Sequence, residues 1–361
     1  MAAARFATRL LRWWEQHGRH DLPWQSQRTP YRVWLSEVML QQTQVATVIP
    51  YFQRFVERFP NLASLACAEQ DDVLALWSGL GYYSRGRNLH RCARLCMQEY
   101  AGELPDDPEI LATLPGIGPS TANAIVSQAH DRVLPILDGN VKRVMARHAA
   151  IEGWPGQTQV VQQLWQAASE RLPRQRGADY TQAIMDLGAT LCRSRTPDCA
   201  QCPVAADCLG RQRDLIAELP GRKPRRSLPL REATFLLLSN PADEIYLLRR
   251  PNQGIWSGLW CLPEFAGHAD MLAWLEQQQL KQPPVSQWAR FNHSFTHYKL
   301  SATVYRCQPK ARSLQRFDQR VADVTGEWNT TKAALSRGLP QPIRRLLEQY
   351  ADNDLLAGGQ T

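Results

Sequence analysis

The sequence lacks the long apolar runs that membrane-spanning and exported proteins carry. No stretch of its 361 residues approaches the roughly 18 to 20 apolar residues needed to cross a bilayer. The segment from Met1 to Trp14 also lacks the unbroken apolar core of a secretory signal. We therefore expect an intracellular protein that does not associate with membranes.

Regular repeats and long low-complexity tracts are also missing, and nine scattered cysteines, an odd number, do not suggest a disulfide framework. Hydrophobic residues make up 44% and charged residues 21% of the chain, which argues against wholesale disorder. At about 150 residues per domain, the length predicts two or three separately folded units.

Charge of one sign is in excess. The chain has 42 basic and 34 acidic side chains, a formal charge of +8 with histidine neutral. Such a balance makes nucleic acid the first partner to consider, although charge alone does not decide it.

Strand-like alternation is scarce before residue 219, where apolar residues at helical spacing alternate with short turn signals. Residues 220–231 hold three prolines among basic residues, which indicates a linker. Beyond it, residues 234–239, 245–248 and 291–306 contain strand-like runs, and residues 271–280 and 343–350 are helical in pattern. The sequence predicts a helical region followed by an α+β domain.

Four cysteines close the helical region within seventeen residues: Cys192, Cys199, Cys202 and Cys208. Four thiolates on loops so short can surround one soft metal centre. The spacing alone leaves zinc and an iron–sulfur cluster as alternatives.

A glycine-containing turn, Leu114-Pro-Gly-Ile-Gly118, lies between two helical stretches. Gly116 and Gly118 permit close backbone approach, and the free N–H groups of the following helix suit a phosphate. The pattern predicts a helix-hairpin-helix motif; the alternative is an ordinary Pro-Gly turn. Asp138, Asn140 and Lys142 follow soon after it.

Glu37 and Asp138 are candidate catalytic acids. Glu37 stands among apolar residues, which should raise its pKa so that it keeps a proton near neutral pH. One protonated and one ionised carboxyl group together suit cleavage of a glycosidic bond through a cationic sugar. The alternatives are a helix-start position for Glu37 and a turn position for Asp138.

The assembled motifs resemble the MutY branch of the helix-hairpin-helix DNA glycosylases. The matching stretches, in order, are Leu22–Trp24, Trp34–Gln44, Gly79–Tyr83, Leu114–Gly118, Pro135–Arg143 and the four cysteines. The resemblance spans nearly the whole chain.

The resemblance implies a multidomain, mostly α glycosylase region at 1–219. Within it, a six-helix barrel would span about 22–135, and an iron–sulfur domain would combine about 1–21 with 136–219. A basic linker would follow at 220–231, then an α+β Nudix or MutT-like domain at 232–354 and a tail at 355–361. The four cysteines would hold a [4Fe–4S] cluster.

The implied activity is base-excision removal of adenine that is mispaired with 8-oxoguanine or guanine in duplex DNA. The adenine would be flipped out of the helix into a pocket formed by Trp24, Leu40 and Val45. Glu37 would act as the general acid, and Asp138, assisted by Asn140, would stabilise the sugar cation or a covalent intermediate.

Further residues would contact the DNA. By the same resemblance, Gln42 and Tyr82 would probe the strand around 8-oxoguanine, and the hairpin glycines Gly116 and Gly118 would approach a phosphate. Tyr82 could equally be a core aromatic residue. Lys142 is a further DNA contact, able to trap an abasic aldehyde without productive reaction.

Ser120 occupies the position at which the related bifunctional endonuclease III has a nucleophilic lysine. A hydroxyl group cannot form a Schiff base. We therefore expect a monofunctional glycosylase with little strand-nicking activity.

Residues 258–263 resemble the start of a Nudix motif, but the acid-rich helix expected after them is missing, with only Asp270 and Glu276 present between residues 266 and 282. We expect this domain to recognise rather than hydrolyse its ligand. Phe295, Thr296 and His297 resemble the loop that reads 8-oxoguanine, commonly Phe-Ser-His; the alternative is a plain strand segment.

Two other functions remain as alternatives: a bifunctional glycosylase and lyase acting on oxidised pyrimidines, and a noncatalytic DNA-binding scaffold held together by its metal centre. The expected partner is mismatched duplex DNA bound by a monomer, associated with the nucleoid in a bacterium. Repair-protein or clamp contacts through the linker are open.

Overall fold

The computed structural model describes residues 2–224, 227–251, 253–280, 284–320 and 326–357. The chain divides into two compact units. Unit 1 comprises Met1–Cys67 and Asn88–Arg225, and unit 2 comprises Ala68–Arg87 and Arg226–Thr361. In the described ranges, no helix has the length and apolar character that crossing a membrane requires.

Unit 1 is helical. Its helices are α1 (Ala2–His17), α2 (Pro30–Leu40), α3 (Val45–Arg58), α4 (Leu62–Ala66), most of α6 (Ser84–Glu99), α7 (Pro108–Leu111), α8 (Pro119–His130), α9 (Gly139–His148), α10 (Thr158–Ser169), α11 (Gly177–Asp186) and α12 (Leu209–Gln212). A π-helical turn at Leu187–Leu191 and a 3₁₀ turn at Ala205–Asp207 flank the first three cysteines. The helix α5 (Gln70–Trp77) and the first turn of α6 belong to unit 2.

Helix α1 shows how apolar residues at helical spacing produce a packed helical unit. Phe6, Leu10 and Trp14 recur at helical spacing on α1 and are each at most 5% exposed. They pack with apolar residues of α9, α10 and α11 in one hydrophobic core.

The predicted helix-hairpin-helix is formed by α7, the turn at 112–118 and α8. Gly116 has a φ of +81°, and a Cβ atom there would lie 2.8 Å from the Cβ atom of Asn88. Any larger residue would be strained in both backbone and packing. Gly118 caps α8, and Pro119 occupies its first turn, where the missing N–H costs nothing.

Unit 2 contains two sheets. Strands β1 (Leu230–Leu238), β4 (Glu264–Phe265), β5 (Val285–Ser294) and β6 (Lys299–Cys307) form one sheet in the order β4-β1-β6-β5. Strands β2 (Ile245–Arg249), β3 (Trp260–Cys261) and β7 (Gly326–Asn329) form the other, in the order β3-β2-β7. Its later helices are α13 (His268–Gln277), α14 (Ala311–Arg320), α15 (Thr331–Ser336) and α16 (Gln341–Ala357).

The register of the larger sheet is mixed. Strand β1 runs parallel to β6, with Leu230 opposite Lys299 and Leu238 opposite Cys307, and β5 runs antiparallel to β6. The strand-like run at 291–306 is two strands joined by a turn at 295–298. The prediction of a helical region followed by an α+β domain is confirmed.

Candidate active site

An open cleft of about 780 Å³ in unit 1 brings together most of the residues predicted to act on the base and sugar. The predicted residues that line it are Trp24, Glu37, Leu40, Gln42, Val45, Ser120, Asp138, Asn140 and Lys142. Arg19, Arg143 and Arg193 also line it. The cleft therefore combines an apolar wall, two carboxyl groups and a cationic rim that suits an anionic backbone.

Glu37 is the eighth of the eleven residues of α2, so the helix-start alternative for this residue is wrong. Gln128 of α8 donates a 2.8 Å hydrogen bond from Nε2 to Glu37 Oε1. Burial and, to a smaller extent, the nearby charge of Asp138 raise the pKa of Glu37 to about 7, against the hydrogen bond from Gln128, which lowers it. Near neutral pH this carboxyl group is therefore protonated in a large fraction of molecules.

Asp138 is the N-cap of α9 rather than a simple turn residue. Its Oδ1 atom accepts a 2.7 Å hydrogen bond from the backbone N–H of Val141, and its Oδ2 atom accepts a 3.4 Å bond from Asn140 Nδ2. The pKa of Asp138 is raised, because burial outweighs the effect of these hydrogen bonds and of the Arg143 charge, which lower it. The helix N-terminus adds partial positive charge that favours the ionised form.

Asn140 is oriented by Arg143. The guanidinium group donates a 2.9 Å hydrogen bond to Asn140 Oδ1. It also donates to two backbone carbonyls, that of Gly188 at 2.6 Å and that of Cys192 at 2.7 Å. Because Asn140 Oδ1 accepts from Arg143, its Nδ2 faces Asp138 as a donor. A Cβ atom at Gly188 would lie 2.6 Å from Asn140 Cβ, so only glycine fits beside it.

Ser120 has a structural partner. Its hydroxyl oxygen accepts a 2.8 Å hydrogen bond from the backbone N–H of Leu137, the residue before Asp138. The first turn of α8 thus fixes the segment that carries the candidate carboxylate.

Other predicted residues lie elsewhere. Gly116 and Gly118 form the hairpin in unit 1 but do not line the cleft. Tyr82 belongs to unit 2, is 47% exposed and has a φ of +47°. Phe295, Thr296 and His297 form the turn between β5 and β6, also in unit 2.

The four predicted metal ligands line one small cavity of about 20 Å³. Apolar residues such as Val144, Leu187 and Val204 complete its wall. Burial, together with the charges of the other three thiols, raises the pKa of Cys202 to about 12, against a backbone hydrogen bond from Val204 that lowers it. Four thiolates at this site therefore require a positively charged centre to stay ionised.

Sequence reasoning did not identify Gln128, Arg147 or Asp186. Arg147 is 3% exposed; its guanidinium donates to the carbonyls of Leu219, Arg193 and Ser194 and, at 3.5 Å, to the Sγ atom of Cys192. Asp186 is fully buried and accepts hydrogen bonds from Trp14, Arg19 and Gln182. Each of these polar residues stands in an apolar helical run, and this could have marked it as a buried, hydrogen-bonded residue. Its partners could not be named from the sequence, because they are far away along the chain.

Comparison with known families agrees with this geometry. Residues 35–170 match the family model of the HhH-GPD superfamily base excision DNA repair proteins. Residues 234–349 match the NUDIX domain family. The predicted fold class, a helical glycosylase fold followed by a Nudix-like domain, is thereby confirmed.

Curated relatives and a solved structure are similar to the chain. It is 34% identical to an adenine DNA glycosylase of Buchnera aphidicola, over 96% of this chain and 98% of that protein. It is also 34% identical to the adenine DNA glycosylase of Mus musculus, over 96% of this chain and 78% of that protein. The structure of a thermostable thymine-DNA glycosylase matches 58% of this chain and 95% of its own, with a TM-score of 0.51 and 23% identity, which supports the fold alone.

The chain matches two family models in the expected order, and its relatives match it over almost the full chain. The chain belongs to the adenine DNA glycosylase family of base-excision repair enzymes.

Proposed function

We propose that the protein hydrolyses the N-glycosidic bond of adenine paired with 8-oxoguanine or guanine in duplex DNA. The observation that supports this most strongly is the cleft in which Glu37 and Asp138 lie close enough for the charge of one to raise the pKa of the other. Two carboxyl groups whose environments differ are the usual requirement for glycosidic cleavage.

The base reaches this cleft by leaving the duplex stack, because the glycosidic bond is inaccessible inside it. The indole ring of Trp24 is held by an edge contact with Phe52 at 5.4 Å between centroids. With Leu40 and Val45 it forms an apolar wall suited to the face of a purine. Lys142 and Arg193, which also line the cleft, suit the phosphates on either side.

Glu37 donates its proton to N7 of adenine and so makes the base a better leaving group. A raised pKa places a proton on this carboxyl group at the pH of the reaction. Gln128 binds Oε1 and leaves the other carboxyl oxygen to face the ligand.

Asp138 stabilises the positive charge that develops on the deoxyribose as the base departs. Its Oδ2 atom accepts the long 3.4 Å bond from Asn140 Nδ2, whereas Oδ1 is held at 2.7 Å by the backbone N–H of Val141. A fixed anion beside the sugar stabilises the cation without reorganising as the reaction proceeds. Water then completes the substitution at the sugar carbon.

Ser120 supports a monofunctional reaction, since its hydroxyl group binds the backbone of Leu137 and offers no amine. We expect incubation with an 8-oxoguanine:adenine duplex to release adenine and to leave an intact strand that breaks only in hot alkali. A duplex containing an oxidised pyrimidine should remain uncleaved. Breaks without alkali at the rate of adenine release would instead favour the bifunctional alternative.

The four cysteines would hold a [4Fe–4S] cluster. The support for this proposal is that all four thiols line one cavity and that their spacing in the sequence resembles that of the iron–sulfur glycosylases. The hydrogen bond from Arg147 to Cys192 Sγ suits a sulfur that carries charge.

This cluster proposal predicts a coloured protein. Purified wild-type protein should show broad visible absorption, with iron and acid-labile sulfide bound. Cys199→Ser should lose most of that absorption and melt at a lower temperature, because three thiolates hold the centre less well. Cys67→Ser, a change at an exposed thiol outside the group, is the control and should keep both. A colourless wild-type protein containing zinc would contradict the proposal.

The turn Phe295–His297 is the proposed contact with 8-oxoguanine. Its tip lies between two strands, and the side chains of Thr296 and His297 are exposed there. Thr296 Oγ1 lies 3.4 Å from His297 Nδ1, so a hydroxyl and an imidazole are available together.

A further inference from the structure

The turn Phe295–His297 is held by an aromatic cluster within unit 2. The backbone N–H of Phe295 donates to the carbonyl of Tyr298 at 2.9 Å and closes the turn. The Phe295 ring contacts His293 edge to face at 4.6 Å and Trp256 at 5.4 Å between centroids. Tyr298 contacts the same ring at 4.7 Å, so Trp256 is one of the aromatic side chains that position Phe295.

Trp256 is held in an unusual conformation. It is 8% exposed and has a φ of +53°, in the left-handed region that bulky residues seldom adopt. Its indole also contacts Phe235 and the guanidinium of Arg250. Such backbone strain persists only where the surroundings enforce it, and it is concentrated at ligand sites.

The residue after Trp256 is bound by an arginine from another segment. Arg87 donates a 2.7 Å hydrogen bond from Nη1 to the carbonyl of Ser257, which is 2% exposed. A charged donor makes this one of the stronger hydrogen bonds available to a buried carbonyl.

Arg87 lies in the first turn of α6, directly after the Tyr82 loop, defined here as residues 78–83. That loop is fixed at both ends. Ser78 and Tyr83 each donate a hydroxyl hydrogen bond to the carbonyl of Leu339, at 3.1 and 2.7 Å. Arg85 donates to the carbonyls of Leu80 and Gly81, both at 3.2 Å.

We propose that Arg87 and Trp256 are positioning residues that couple the Tyr82 loop to the turn Phe295–His297. The connection runs from Arg87 through the Ser257 carbonyl and the Trp256 indole to the Phe295 ring. This inference rests on the proposed role of the turn in reading 8-oxoguanine. It assigns discrimination between 8-oxoguanine and guanine to two linked segments rather than to one turn.

The coupling is tested with Arg87→Met, which keeps the length of the side chain and removes its donors. Arg94→Met, a change at an exposed arginine farther along α6, is the matched control. Amide hydrogen exchange of the full-length protein should speed up at residues 295–298 in the first variant and stay unchanged in the second. The ratio of adenine-release rates for 8-oxoguanine:adenine over guanine:adenine should fall about 5-fold or more, a typical size for coupled sites.

Trp256→Phe keeps an aromatic contact and should fall between wild type and Trp256→Ala in both measurements. Thermal melts show whether unit 2 remains folded in Trp256→Ala. If that variant unfolds, Trp256→Phe is compared with wild type instead. In a Phe295→Ala background, Arg87→Met should cause little further loss of discrimination, because the connection is already broken.

Two results would overturn the coupling: unchanged exchange at 295–298 in Arg87→Met, or losses of discrimination that simply add in the double variant. A different result would contradict the proposed role of the turn itself. If Phe295→Ala alone left discrimination intact, the turn would not read 8-oxoguanine, and the specificity role of Arg87 and Trp256 would fall with it.

Discussion

Glu37→Gln is expected to reduce the single-turnover rate of adenine release by about 10²- to 10⁴-fold, the range lost when a positioned general acid is removed. Glutamine is close in size and can keep the contact with Gln128, but it has no acidic proton to transfer. Binding to the mismatched duplex should be retained, because the cationic residues at the cleft rim are unchanged. Rates from single-turnover release assays and affinities from titrations separate the two effects.

The pKa of Glu37 also predicts the direction in which the rate of adenine release changes with pH. Glu37 must be protonated to act, and its pKa is raised to about 7. The wild-type rate should therefore fall as pH rises above about 7, and that alkaline decline should be missing from the residual activity of Glu37→Gln.

Glu57→Gln, a change at an exposed glutamate on α3, serves as the control and should leave the profile unchanged. An alkaline decline of the same shape in Glu37→Gln would assign the titration to another group. Ordinary turnover by Glu37→Gln would refute the general-acid role, whereas the absence of adenine release by the wild-type protein would favour a noncatalytic scaffold.

Asp138→Asn is expected to lower the same rate by about 10²- to 10³-fold, typical for removing one preorganised electrostatic partner of the transition state. Asparagine is an equally good N-cap, so it can accept from Val141 and keep α9 intact. The loss would then come from charge rather than folding. A thermal melt close to that of wild type checks this point.

A second consequence of Asp138→Asn concerns Glu37. The Asp138 charge is one cause of its raised pKa, so that pKa should fall in the variant. The alkaline decline of the residual activity should move to lower pH. The control is Asp107→Asn, which alters the cap of α7 outside the cleft and should change neither rate nor profile. An unmoved decline would mean that the two carboxyl groups do not interact.

The sequence predicted much of the fold because the relevant signals are local. Helical spacing in α1 and the Pro-Gly pattern before α8 act within one element or one turn, and both elements are present. The break between β5 and β6 was predicted only through the resemblance of Phe295–His297 to a recognition loop, since the residue pattern alone, with Phe291, Phe295 and Tyr298, equally resembles a strand segment. The turn depends on the bond between Phe295 and Tyr298, which periodicity does not reveal.

The sequence predicted which residues form the site but not the hydrogen bonds that hold them in place. Glu37 and Asp138 could be named from their neighbours in sequence. Their partners could not be predicted: Gln128 is 91 positions from Glu37, and Arg143 meets the carbonyl of Cys192, 49 positions away. Such contacts exist only after α2 packs on α8 and α9 packs against the π-helical turn.

The two oxygens of Asp138 are not equivalent, and this has a consequence for a covalent intermediate. Oδ1 accepts the amide of Val141, so an ester formed with the sugar would be made through Oδ2. The amide would then bind the carbonyl oxygen of that ester and stabilise the carboxylate as it is released. The start of a helix would thus decide which oxygen of the carboxyl group bonds to the sugar carbon.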